Sequence, residues 1–100
     1  MYNDSMVNLN AGRFSSGISE VNGTALLTIN QSNIGGIDAN EEGRIVVNDG
    51  EIDDIDFNEF STGLINGGFI SSVTTNSRAE LTIAGGALIS LTVNTTPKLP

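Results

Sequence analysis

The stretch STGLINGGFISSVTTN, residues 61–76, decides how this chain is read. It is too rich in glycine for a helix, where each Gly costs about 1 kcal/mol relative to Ala. It is also too interrupted for one long strand. Laid over the stretches on either side of it, however, it meets itself. The chain divides without gaps into GTALLTINQSNIGGIDAN (23–40), EEGRIVVNDGEIDDIDFN (41–58), EFSTGLINGGFISSVTTN (59–76) and SRAELTIAGGALISLTVN (77–94). Every unit ends in Asn.

Three columns hold aliphatic residues without exception: Ile29, Val47, Ile65, Ile83; then Ile34, Ile52, Ile70, Leu88; then Ile37, Ile55, Val73, Leu91. A fourth, Leu27, Ile45 and Leu81, is interrupted by Gly63. Two more are small or polar: Ser32, Gly50, Gly68, Gly86, and Asn30, Asn48, Asn66, Ala84. Such self-similarity is the signature of a repeat architecture.

Within a unit the apolar residues alternate over only a few positions. That pattern predicts three short strands, turning at the glycine pair and at the asparagine. No strand so short buries its inward face alone. Units stacked as coils about 4.8 Å apart place each column residue over its equivalent and build one continuous core. The column Asn22, Asn40, Asn58, Asn76, Asn94 then becomes a ladder, since each side-chain amide has both a donor and an acceptor. Left-handed hexapeptide helices need an aliphatic residue every six positions; counting from Ile29, those positions hold Gly35 and Glu41. The expectation is therefore an all-β fold, a single-stranded parallel β-helix (β-solenoid), right-handed, with about five coils.

One domain spans 1–100, with regular repeats at 23–94, a looser N-terminal coil at 5–22 and a C-terminal cap or tail at 95–100. In the first coil Leu9, Asn10, Gly12 and Phe14 echo the repeat, with two residues inserted before the register returns at Asn22. Leu99 falls where the next unit's first apolar position belongs, between Pro97 and Pro100, which discourage further strand pairing.

Twelve carboxylates against four bases argue against nucleic-acid partners and anionic membranes, both of which demand clustered Lys and Arg. No segment has the roughly 20 apolar residues of a membrane span, and MYNDSMVNLNAG lacks the basic start and apolar core of a leader. With neither Cys nor His, thiol catalysis, His-based triads and the usual zinc sites fall away.

Acidic residues concentrate at 38–59. Asp54-x-Asp56-x-Asn58 opens like a calcium loop, but Glu59 and Ile65 stand where that loop needs Gly and Glu. The repeat register offers a different candidate: Glu20, Asp38 and Asp56 share an outward column continued by Thr74 and Thr92. Stacked carboxylates repel, and Ca2+ is a cation that would relieve them. A solvated acidic face is the plainer interpretation. A retaining-glycosidase spacing arises from any stacked carboxylate pair and so identifies nothing; no catalytic residue is assigned. The glycine pairs lack the Lys and helix start of a phosphate loop. Phe69 lies in the otherwise polar or small column Asn33, Glu51, Phe69, Ala87; an exposed ring there suits a partner contact, but the favoured expectation is that it covers the gap left by Gly63.

TINQSNIGGIDAN, LINGGFISSVTTN and TIAGGALISLTVN resemble the glycine-pair repeats of bacterial surface β-solenoid proteins. These include autotransporter and haemagglutinin-type adhesin passengers and repeat regions of cell-surface-sorted proteins. The resemblance covers about residues 7–94 and is one of pattern. It implies an extracellular or cell-surface location and a non-enzymatic structural or adhesive role, as a rod or spacer of a bacterial or phage surface protein. Two alternatives stand beside it: a polysaccharide- or Ca2+-binding module using the acidic face, and a unit that self-assembles end to end or side by side.

Overall fold

The computed structural model describes residues 6–10, 12–14 and 18–95. The strands in chain order are β1 (Met6–Leu9), β2 (Arg13–Phe14), β3 (Ile18–Val21), β4 (Leu26–Ile29), β5 (Ser32–Ala39), β6 (Arg44–Val47), β7 (Gly50–Phe57), β8 (Thr62–Ile65), β9 (Phe69–Ser77), β10 (Glu80–Ile83) and β11 (Ala87–Thr95). Among the described residues there is no helix. The short strands stack as β1-β4-β6-β8-β10; the long ones stack as β11-β9-β7-β5-β2, with β3 also on β5. Every pairing among the described residues is parallel. From β4 onward partners lie one repeat apart, as in Leu27 with Ile45 and Val47 with Ile65. The chain is thus a β-solenoid of stacked coils. Four pairings link the short strands, so it makes about four turns rather than the expected five.

The three expected strands become two. Each regular coil has a four-residue strand and then one of eight or nine residues. Along β5 the side chains of Ser32, Ile34, Ile37 and Ala39 are buried, and the alternation breaks at Gly35-Gly36. β7 breaks likewise at Asp53-Asp54. Two successive outward residues turn the long strand without ending it, so the third corner is a bend inside a strand. The glycine pairs consequently do different work. Gly67-Gly68 and Gly85-Gly86 lie between the short and long strands, whereas Gly35-Gly36 lies at the bend within β5. Gly50, Gly68 and Gly86 all have positive φ (116°, 90° and 85°), which a side chain resists.

The lumen is filled by the aliphatic columns. Leu27, Ile29, Val47, Ile55, Ile65, Ile70 and Val73 are fully buried. Phe57, in the column Ala39, Phe57, Thr75, is also fully buried. Its ring reaches across the lumen into the space left by Gly63, where an added Cβ would stand 2.7 Å from Cε1. This corrects the expectation for Phe69, which is exposed.

The first coil keeps its predicted alignment. Leu9 pairs with Ile29 and Arg13 with Asn33, a longer step along the chain than the later coils take. Ile18 then pairs with Ile37 and Val21 with Ala39, so the inserted residues are absorbed between Phe14 and Val21. The predicted tail beyond Thr95, with Pro97, Leu99 and Pro100, lies outside the described residues.

Candidate functional site

Outward residues of the long strands form the candidate site. Because Ile37 and Ala39 point inward, Asp38 points out; the same holds for Asp56 between Ile55 and Phe57. Strand pairing sets Asp38 beside Asp56, Asp56 beside Thr74, and Thr74 beside Thr92. A parallel column runs through Gly36, Asp54, Ser72 and Ser90. One face therefore changes from carboxylates in the earlier coils to hydroxyls in the later ones.

Crowding on this face shifts two carboxyls. Burial pushes Asp56 above its ordinary value, the Asp38 charge pushes it further, and a hydrogen bond with Asp38 adds to the rise; the Thr74 hydroxyl pulls it back. Burial likewise raises Asp54, followed by the charge of Asp56, against hydrogen bonds from the Ile55 N–H and the Ser72 hydroxyl. The structure thus brings Asp38 and Asp56 together as the sequence register requires. The Glu20 side chain lies outside the described residues. Among the described residues, no group of three or more carboxylates is close enough to hold a metal ion. What the arrangement supports is a stacked carboxylate pair in which Asp56 takes up a proton more readily than an isolated carboxylate.

The predicted asparagine ladder runs the length of the solenoid. The Nδ2 of each Asn donates to the Oδ1 one coil earlier: Asn40 to Asn22 at 3.0 Å, Asn58 to Asn40 at 3.0 Å, Asn76 to Asn58 at 2.8 Å and Asn94 to Asn76 at 3.3 Å. A second ladder stands at the other corner. Asn30 donates to Asn10, Asn48 to Asn30 and Asn66 to Asn48 at 2.8–2.9 Å. Its repeating column is visible in the sequence, but Ala84 ends it and Asn10 joins it across the irregular first coil.

Beside the first ladder, Glu41 and Glu59 adopt positive φ (55° and 57°), uncommon for a residue with a side chain. Each carboxylate reaches back one coil. Glu59 accepts from the Glu41 N–H and Glu41 from the Gly23 N–H, both at 3.3 Å. A left-handed position filled by Gly23 in one coil and Glu in the next two is the sequence signal for this corner. At the same corner the Arg78 guanidinium stands 5.7 Å from the centre of the exposed Phe60 ring.

Another outward column carries Arg13, Asn33, Glu51, Phe69 and Ala87. Beside it a shallow groove of about 180 Å³ is lined by Arg13, Asn33, Ile34, Gly35, Glu51 and Asp53, open where Gly35 lacks a side chain. Comparison of the chain with protein-family models, with curated proteins and with solved structures gives no match.

Proposed function

We propose that this chain is a non-enzymatic structural or adhesive module, a β-solenoid rod or spacer displayed at a cell or virion surface. One observation carries the reading: the residues that repeat are the residues the scaffold consumes. The aliphatic columns fill the lumen, both asparagine columns form side-chain ladders, and the glycine column occupies positive φ. The outward positions vary freely from coil to coil, as Asn33, Glu51, Phe69 and Ala87 do. That division suits a spacer whose length is set by repeat number and whose faces carry whatever contact is needed.

A chain with residues 59–76 present four times instead of once tests the spacer role. It should fold and lengthen by about 14 Å, at ~4.8 Å per added coil, as read by small-angle scattering. A misfolded product, or one that grows sideways, would count against a rod. Attachment of the immobilised protein to cells or polysaccharide-coated beads would favour the adhesive form over a plain spacer.

The Asp38–Asp56 pair favours a second reading, a cation- or polysaccharide-binding acidic face, because a crowded carboxylate pair is relieved by a cation as well as by a proton. Calorimetric titration with Ca2+ separates the two. Heat release and a raised melting point, both abolished by Asp56→Asn, would support it; no heat and no shift would dismiss it.

A further inference from the structure

The two ends of the solenoid are not alike. In the last coil Ile83, Leu91 and Val93 are 45%, 47% and 58% exposed, while their stacked equivalents Ile65, Val73 and Thr75 are 0%, 0% and 3% exposed. The inward columns stay aliphatic where nothing among the described residues covers them. A cavity of about 200 Å³ opens there, lined by Thr75, Ala79, Leu81, Ile83, Leu91 and Val93. At the other end the described members of the matching columns are better covered: Leu9, in the column of Ile83, is half-buried, and Val21, in the column of Val93, is fully buried.

We infer that the C-terminal end is a dimerisation face that takes the same face of a second copy of this chain. Three observations select that occupant. First, β10 and β11 are the outermost strands of their sheets, so the face presents backbone edges along with apolar side chains. A small apolar ligand leaves those edges unpaired, whereas a strand-bearing partner satisfies both. Second, the net charge of −8 repels a second copy over most of the surface. Residues 77–94 carry only Arg78 and Glu80, which cancel, while residues 41–58 carry seven carboxylates and one base. Those two coils are two stacking steps apart, roughly 10 Å or about one Debye length at 0.1 M salt. The open apolar face thus lies where two acidic copies approach with little repulsion, although residues 5–22, with Arg13 and Glu20, are equally neutral. Third, the described N-terminal members of these columns are better covered, Leu9 half-buried and Val21 fully buried, so the most open apolar face finds its closest match in its own kind. A two-fold axis makes such a pairing self-complementary and finite, with the β11 edges running antiparallel. This inference stands apart from any adhesive or spacer role.

Sedimentation equilibrium of the full chain over a wide concentration range tests it. A monomer–dimer equilibrium is expected, strengthened by salt as the acidic bodies are screened. Val93→Asp should weaken it by at least ~10-fold, as loss of a central apolar contact does. Since Val93 is already mostly exposed in a single copy, the variant's circular dichroism and dilute melting point should match the parent. Leu91→Asp provides a second variant with the same expected weakening, read against its own melting point because Leu91 is half-buried in a single copy. A chain that is monomeric throughout overturns the inference, as does a mass that grows without limit, which means head-to-tail stacking. It is also overturned if the full chain is monomeric and removal of residues 96–100 produces the dimer, because the tail is then the cover.

Discussion

The ring of Phe57 fills the place where Gly63 has no side chain: a Cβ on Gly63 would lie 2.7 Å from Phe57 Cε1 and 3.0 Å from Leu81 Cδ1. The two residues are complementary in volume across the lumen, although they belong to different columns. Gly63→Leu, which restores the aliphatic column, should destabilise by about 1–3 kcal/mol or more through overpacking. Phe57→Ala should cost about 3–5 kcal/mol through the cavity it leaves. The double variant should lose clearly less than the sum of the two. Urea unfolding of the four chains measures the coupling, and strict additivity would mean that the contact does not form.

The ladders should fail most at their centres. Asn58 donates to Asn40 and accepts from Asn76, whereas Asn94 makes one ladder bond. At about 1 kcal/mol net per hydrogen bond, Asn58→Ala should cost about 2 kcal/mol and Asn94→Ala no more than about 1. Thermal melts of the two variants read the gradient. Equal losses would argue against a cooperative column.

Stability should rise as the medium is acidified from neutral pH. Asp54 and Asp56 have folded pKa values raised above 3.8, so the folded chain holds their protons more tightly than the unfolded chain does. The stabilisation from each is complete below its ordinary pKa and is lost as pH rises through its folded one. Asp56→Asn should raise the melting point at pH 7 and flatten its dependence on pH. The wild type minus variant comparison cancels the general repulsion among the other carboxylates. A variant melting curve that keeps the parent's full pH slope would contradict the shift at Asp56.

Ser61 is fully buried and its hydroxyl has no partner, while Ala79 occupies the same inward position one coil later. Ser61→Ala removes an unsatisfied polar group with little change of shape. It should stabilise the chain by about 1 kcal/mol, seen as a higher urea midpoint with an unchanged slope. A loss of stability would show that the hydroxyl finds a partner after all.

Contacts along the solenoid axis are legible in the sequence because stacking repeats them at every coil. The three aliphatic columns, the Asn22-to-Asn94 ladder and the outward Asp38–Asp56 pair all emerge that way. Contacts across the lumen do not repeat. Phe57 lies in a column of mixed size, with Ala39 before it and Thr75 after it, and nothing in the spacing links it to Gly63. Spacing alone therefore points to Phe69 for the role that Phe57 plays. The bend within the long strands escapes the same reading because it is made by Gly-Gly in one coil, Asp-Asp in the next and Ser-Ser in the one after. Its cause is a pair of successive outward positions, which several residue types fill.

Deletion length tests the stacked-coil architecture most directly. Removing residues 59–76 takes out one whole coil and leaves every column in register, joining Asn58 to Ser77 as Asn76 was joined before. Removing only residues 59–67 places each later residue over the wrong neighbour. Circular dichroism and urea unfolding should show the whole-coil deletion folded and cooperative, with a stability lowered by about one coil's share and by the packing of Leu81 where Gly63 stood beside Phe57, and the half-coil deletion unfolded. If both chains fold, or both fail, the coil that ends at each ladder asparagine is not the unit that holds this protein together.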